Sequence, residues 1–114
     1  MIEHKAVFSF GTTGFVEQIS KFLDLPCGLT HTFIVVAGET TNNVTYTLKL
    51  RDAAGNLLFS KATIADNGTT VLGPSSTENH QWPFINGGSI AILPSGDAGT
   101  LHPDVIVYVY AVVA

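Results

Sequence analysis

From Val44 to Arg51 the chain alternates without a break. Val44, Tyr46, Leu48 and Leu50 fall on one side of an extended backbone, and Thr45, Thr47, Lys49 and Arg51 fall on the other. Successive side chains of a β-strand point to opposite faces, so this segment reads as a strand with one face on a core and one in water. Its apolar face has to be closed over by other apolar surface, which commits the chain to a layered β architecture.

The remaining segments supply the other strands. Thr30 to Ala37 is a run rich in β-branched and aromatic residues. Asp52 to Asn56 is a hairpin loop in which Gly55 can take a positive φ, and Leu57 to Ile64 is the returning strand. Asp66-Asn67-Gly68 is a strong turn signal before a short strand, Thr69 to Leu72. His80 to Ile85 reads as a short strand limited by Pro83, and Ser89 to Leu93 follows the turn Asn86-Gly87-Gly88. After a loop from Pro94 to Pro103, Asp104 to Val113 is apolar on both faces and is expected to be central in a sheet and covered on both sides.

At the start of the chain, Lys5 to Phe10 alternates, with Val7 opposite Phe8 and Phe10. Phe15 to Leu25 admits two patterns. Val16, Ile19, Phe22 and Leu23 have helical spacing, whereas Phe15, Glu17, Ile19, Lys21 and Leu23 form a period-two set. The β character of the surroundings favours a strand, ended by Pro26 and Gly28. The expectation is an all-β, single-domain antiparallel β-sandwich, jelly-roll or Ig-like, of eight to nine short strands. Residues 15–114 form the sandwich, and residues 1–14 are an N-terminal strand or an arm that docks on a neighbour.

Composition narrows function mainly by exclusion. The chain has 114 residues, enough for one core, and only 12% of them are charged against 46% hydrophobic. Surfaces this poor in charge are commonly completed by partners. The net charge is −4 and Lys5, Lys21, Lys49, Arg51 and Lys61 form no run, so no nucleic acid is expected as a partner. The densest apolar stretch, Val105 to Ala114, is too short to span a bilayer, and the first residues lack a signal-peptide pattern. The chain is therefore expected to be soluble and made in the cytoplasm, with no membrane as partner.

No residue pattern points to chemistry, and no cofactor or metal is expected. Cys27 is the single cysteine and has no basic neighbour. His4, His31, His80 and His102 lack the close pairing typical of metal ligands, and a site built from His80, His102, Asp97 and Asp104 would need them to converge in a pocket. The nine acids lie mostly in turns, and Glu39, Asp52, Asp66, Glu78 and Asp97 sit where turns need polar side chains. Trp82, beside Gln81 and His80, is able either to stack on a sugar ring or to pack at a sandwich edge or subunit interface. Interface candidates are Ile2, Val7 and Phe8 near the terminus and Trp82 and Phe84 in a loop, with core packing as the alternative for Phe8 and Phe84.

From His31 onward the chain resembles small β-sandwich structural proteins of tailed-bacteriophage virions. Three stretches carry the resemblance: Thr30 to Ala37, the hairpin Lys49 to Phe59 with its Asp-x-x-Gly-Asn turn, and Leu93 to Gly99 leading into an apolar final strand. Residues 1–30 lie outside it. The resemblance implies a virion location and no active site. It implies a capsid decoration or cement role, often as a homotrimer, that binds the capsid exterior and staples neighbouring major capsid subunits. A neck, tail or baseplate component, or a module that binds carbohydrate on a host surface, are the alternatives.

Overall fold

The computed structural model describes residues 1–11, 16–24, 28–74, 82–84 and 88–113. Among them are the strands β1 (Ile2–Phe8), β2 (Ile19–Phe22), β3 (Gly28–Ala37), β4 (Thr45–Arg51), β5 (Leu57–Ala65), β6 (Gly68–Leu72), β7 (Pro83–Phe84), β8 (Ser89–Pro94) and β9 (Val105–Val113). They form two antiparallel sheets. The first runs β1-β9-β3-β6, with β7 pairing the start of β3, and the second runs β2-β8-β4-β5. With the two-residue β7 set aside, every strand pairs with partners distant in the chain except β4 with β5, and successive strands cross between sheets. That is the jelly-roll solution of the two expected, a double sheet of interlocked Greek keys.

The segment that committed the chain to this architecture behaves as its pattern requires. Val44, Tyr46, Leu48 and Leu50 are all buried, the last two completely. Facing them from the first sheet are Phe33 and Val35 of β3 and Val105, Val107 and Val109 of β9, all with no exposed surface. Phe8 and Phe10 close the same core from the N-terminal side. Burying each large side chain contributes roughly 1.5–3 kcal/mol, so the stacked inner faces are the main source of stability.

Residues 19–22 are extended and pair with β8 from Ile19↔Ile92 to Phe22↔Ser89, so the period-two pattern prevails over the helical one. Leu23 is buried where its own alternation puts it. β1 is a paired strand, in register with β9 from Ile2↔Ala111 to Phe8↔Val105. The turn chemistry also holds. Gly55 takes φ 88° and Asn67 φ 51°. Asp52 accepts hydrogen bonds from the backbone of Ala54 and Asn56, and the Asn56 side-chain amide donates to its other oxygen at 3.1 Å. These bonds, that of the Asn56 side chain first, hold the Asp52 carboxyl below its ordinary range. Gly99 has φ 87°, and a Cβ there would lie 2.7 Å from the Thr41 Cβ, so the loop after β8 can close on the β3–β4 loop only with glycine.

β5 contains an irregularity that the sequence does not announce. Tyr46 pairs with Ile64 but Leu48 pairs with Lys61, so β5 carries one extra residue. Thr63 sits in that bulge with φ 60°, a conformation unfavourable for a β-branched residue. The kink twists an outer strand of the second sheet, one of the ways in which exposed sheet edges are kept from pairing with other chains.

Two stability outcomes are expected. Leu48→Ala lowers the unfolding free energy in denaturant titration by about 2–5 kcal/mol, while Thr47→Ala next to it lowers it by less than about 1 kcal/mol. Thr63→Gly raises it by about 0.5–1 kcal/mol, because relief of the left-handed backbone exceeds the added chain entropy.

Candidate assembly surface

β9 lies between β1 and β3 and is central, as its sequence requires, and among the described residues one of its faces meets the second sheet. Val105, Val107, Val109 and Ala111 point into the core. Ile106, Tyr108 and Tyr110 on the other side are half-buried, and Val112 is 51% exposed. Of the two covers expected, the described strands supply the inner one, the β2-β8-β4-β5 sheet.

Strand register arranges that outer face in rows. Val7, Ile106, Val36 and Thr69 form one row, and Lys5, Tyr108, Ile34 and Val71 the next. Glu3, Tyr110 and Thr32 form a third, with Val112 and Leu29 beyond it. Val71 is 62% exposed and Leu29 46%. The extra residue that β3 accommodates between Thr30 and Thr32 lets both the inward Thr30 and the outward Thr32 keep their faces. The result is a contiguous apolar sheet face with two tyrosines at its middle and charge confined to β1. The matching outer face of β4 presents Thr45, Thr47, Lys49 and Arg51, so the two sides of the sandwich differ sharply in polarity.

The charges at the edge are tied to the aromatics. Lys5 Nζ lies 5.9 Å from the centre of the Tyr108 ring, within cation–π range. The Tyr110 hydroxyl donates to the Glu3 carboxylate, and that bond, with the added repulsion of a negative charge, raises the phenol's pKa. Tyrosine rings held this way are preordered contact groups, the residue type enriched at the centres of protein interfaces.

Of the residues singled out in the sequence, Val7 lies on this face and Ile2 begins the same strand, 37% and 38% exposed respectively. Phe8 is fully buried and belongs to the core, the alternative open to it. Trp82 is half-buried and packs against the core, its ring 6.2 Å from that of Phe59. Its backbone is tied to Thr30, whose N–H donates to the Trp82 carbonyl and whose Oγ1 accepts from the Trp82 N–H at 2.8 Å. Trp82 Nε1 is buried with no partner among the described residues. Phe84 lies in β7, opposite Gly28, and its side chain is outside the described residues, as are Cys27, His80 and Gln81.

The residues that sequence reasoning passed over are Ile34, Val36, Val71, Ile106, Tyr108 and Tyr110. For Ile106, Tyr108 and Tyr110 the signal is the second apolar face of Asp104 to Val113, which a sequence presents as internal; Ile34, Val36 and Val71 carry no such signal.

Of the histidine and acid candidates, His102 and Asp97 are built into the fold, Asp104 is exposed, and His80 lies outside the described residues. His102 stacks on Phe10, 4.6 Å between ring centres and 5° from parallel, and its Nε2 is 3.0 Å from the Tyr46 hydroxyl. Burial is the main cause that pushes the Tyr46 phenol up to about 12, reinforced by the charge of Asp66. Burial likewise lowers the His102 pKa, against a smaller opposing pull from Asp97. Asp66 accepts from both the N–H and the hydroxyl of Thr40, and Asp97 accepts from the Gly99 N–H. Among the described residues no group of three or more His, Cys, Asp or Glu is placed to hold a metal ion, and no helix is long and apolar enough to cross a membrane.

No protein-family model matches the chain, and no curated protein sequence matches it. Among solved structures it is similar to a chain of the infectious bursal disease virus Gx strain structure, at 16% identity and a TM-score of 0.37. That alignment covers 100% of this chain and 36% of the viral one, so this chain spans about a third of the length of its match. A superposition that loose bears no weight for function.

The stacked histidine gives a pH dependence with a definite sign. Its folded pKa lies below the ordinary 6.5, so the unfolded chain binds the proton more readily, and stability present above that value is lost as pH falls through it toward the folded pKa. Chemical denaturation between about pH 7 and 5 therefore shows falling stability, and His102→Phe, which keeps the stack and cannot titrate, flattens that slope.

Proposed function

We propose that this chain is a structural subunit of a tailed-bacteriophage virion, a capsid decoration or cement protein that works by binding other protein surfaces. One observation supports assembly above all: the central strand β9 is apolar on both faces, and the described residues pack a second sheet over the inner one alone. A contiguous sheet face of this size in water is unfavourable, and on soluble proteins such patches mark sites of association. The phage setting rests on the sequence resemblance carried by Thr30 to Ala37, Lys49 to Phe59 and Leu93 to Gly99.

A cement role asks little of the individual copy. Many weak contacts repeated over a shell combine through multivalency, so a small domain with one good face is sufficient. The jelly roll suits this use because its rigid double sheet holds the contact residues without ordering costs on binding. The fold alone does not choose the role, since the same architecture serves capsid and lectin domains. Against the lectin reading stands Trp82, whose ring packs on Phe59 and the core and does not offer a free platform.

The test is a particle lacking this protein. Added protein binds such capsids to saturation and raises their resistance to heat or DNA pressure, and Tyr108→Lys, which places a charge at the middle of the outer face, weakens attachment by roughly tenfold or more. Labelled copies found only on the neck, tail or baseplate, or Trp82-dependent binding to a glycan array, would replace the capsid assignment.

A further inference from the structure

Building on the assembly reading, we propose that the outer face of the β1-β9-β3-β6 sheet is covered by a second copy of this chain, related by a two-fold axis that crosses the strands at His4 and Val109. Those two residues are cross-strand partners, and Phe33 continues their row on β3. An axis lying there, perpendicular to the strands, sets each sheet on its own image and makes the contact self-complementary. Glu3 of one copy meets Lys5 of the other, once on each side of the axis. Tyr108 meets Tyr110, Ile106 meets Val112, and Val36 meets Leu29, so every apolar position except those bordering Thr32 and β6 finds an apolar one. The ordinary angle of about 30° between packed sheets blurs these pairings without exchanging them.

Charge argues for a copy of itself as the occupant. The chain carries a net charge of −4, yet this face holds one acid and one base on the same strand, two residues apart and turned the same way. A generic basic or acidic partner would leave one of them opposed by a like charge. A second copy satisfies both. The area is consistent with a real but weak pair. Four strands about 4.8 Å apart and some 7 residues long span roughly 450 Å² on each copy, so the pair buries close to the ~1,000 Å² at the low end of specific interfaces. Self-association is therefore expected in the micromolar range; a pair joined here meets the capsid by surfaces outside this face, and Tyr108→Lys weakens attachment by splitting the pair and halving its contacts.

Sedimentation equilibrium of the full chain over a concentration series provides the test. The wild type moves from monomer to dimer mass. Tyr108→Lys and Val112→Lys, each checked for an intact β spectrum by circular dichroism, remain monomeric. Glu3→Lys alone and Lys5→Glu alone each weaken the dimer by roughly tenfold, since the repulsion is duplicated by symmetry, and the double reversal restores it. A monomer at all concentrations, a trimer, or a double reversal as weak as either single change overturns the two-fold pairing. If the protein is monomeric while Tyr108→Lys still abolishes attachment to capsids, the face belongs to another virion protein and only the second copy is refuted. If Tyr108→Lys changes neither mass nor attachment, the assembly reading falls with it.

Discussion

The packing of β9 governs this molecule. It pairs with β1 along one edge and β3 along the other, and its inward side chains Val105, Val107, Val109 and Ala111 meet the second sheet with no exposed surface. Without it the first sheet would be two unconnected pieces, and the core formed by Phe8, Phe33 and Val35 would open on that side. The same strand sets the character of the exterior. Because backbone pairing fixes its register on both sides, Ile106, Tyr108 and Tyr110 are held in line with Val7, Lys5 and Glu3 on one flank and with Val36, Ile34 and Thr32 on the other. One strand thus builds the core and aligns the surface through which the domain is read as assembling.

The ends of the sandwich are secured by different means. At the end near the β3–β4 loop, Thr40 and Asp66 form a compact polar knot, Gly99 lets the loop after β8 approach Thr41, and His102 lies flat on Phe10 beneath the Tyr46 hydroxyl. These groups have the residue types of a catalytic cluster and none of its openness. Asp66, Asp97 and His102 each bond a neighbour in these loops, which is why histidine and carboxylate counts in a sequence say so little about chemistry.

Much of the fold was legible because alternation is a local property. Val44 to Arg51 could be assigned to a core face from eight residues, and Gly55 and Asn67 to turns from three or four each. The jelly-roll order was not legible, since it depends on which distant strands pair, and single-sequence patterns carry no information on that. The bulge at Thr63 was hidden for a related reason: its cause is the mismatch with β4, not anything in the residue itself. The surface was half legible. A strand apolar on both sides states that two covers exist, but not which elements supply them. Val7 was found because it sits in an obvious alternation near the terminus, whereas Ile34 and Val71 were indistinguishable from core until their neighbours were known.

The position of β9 also has a consequence for synthesis. It is the last strand in chain order and the middle one of its sheet, so β1 and β3 leave the ribosome long before the element that joins them exists. Until then each shows bare hydrogen-bonding edges and the greasy inner faces of Phe8 and Phe33 to whatever is nearby. Chains built this way close late and all at once, through contacts of long sequence separation. High expression would thus place the greatest burden on chaperones during the interval before β9 emerges.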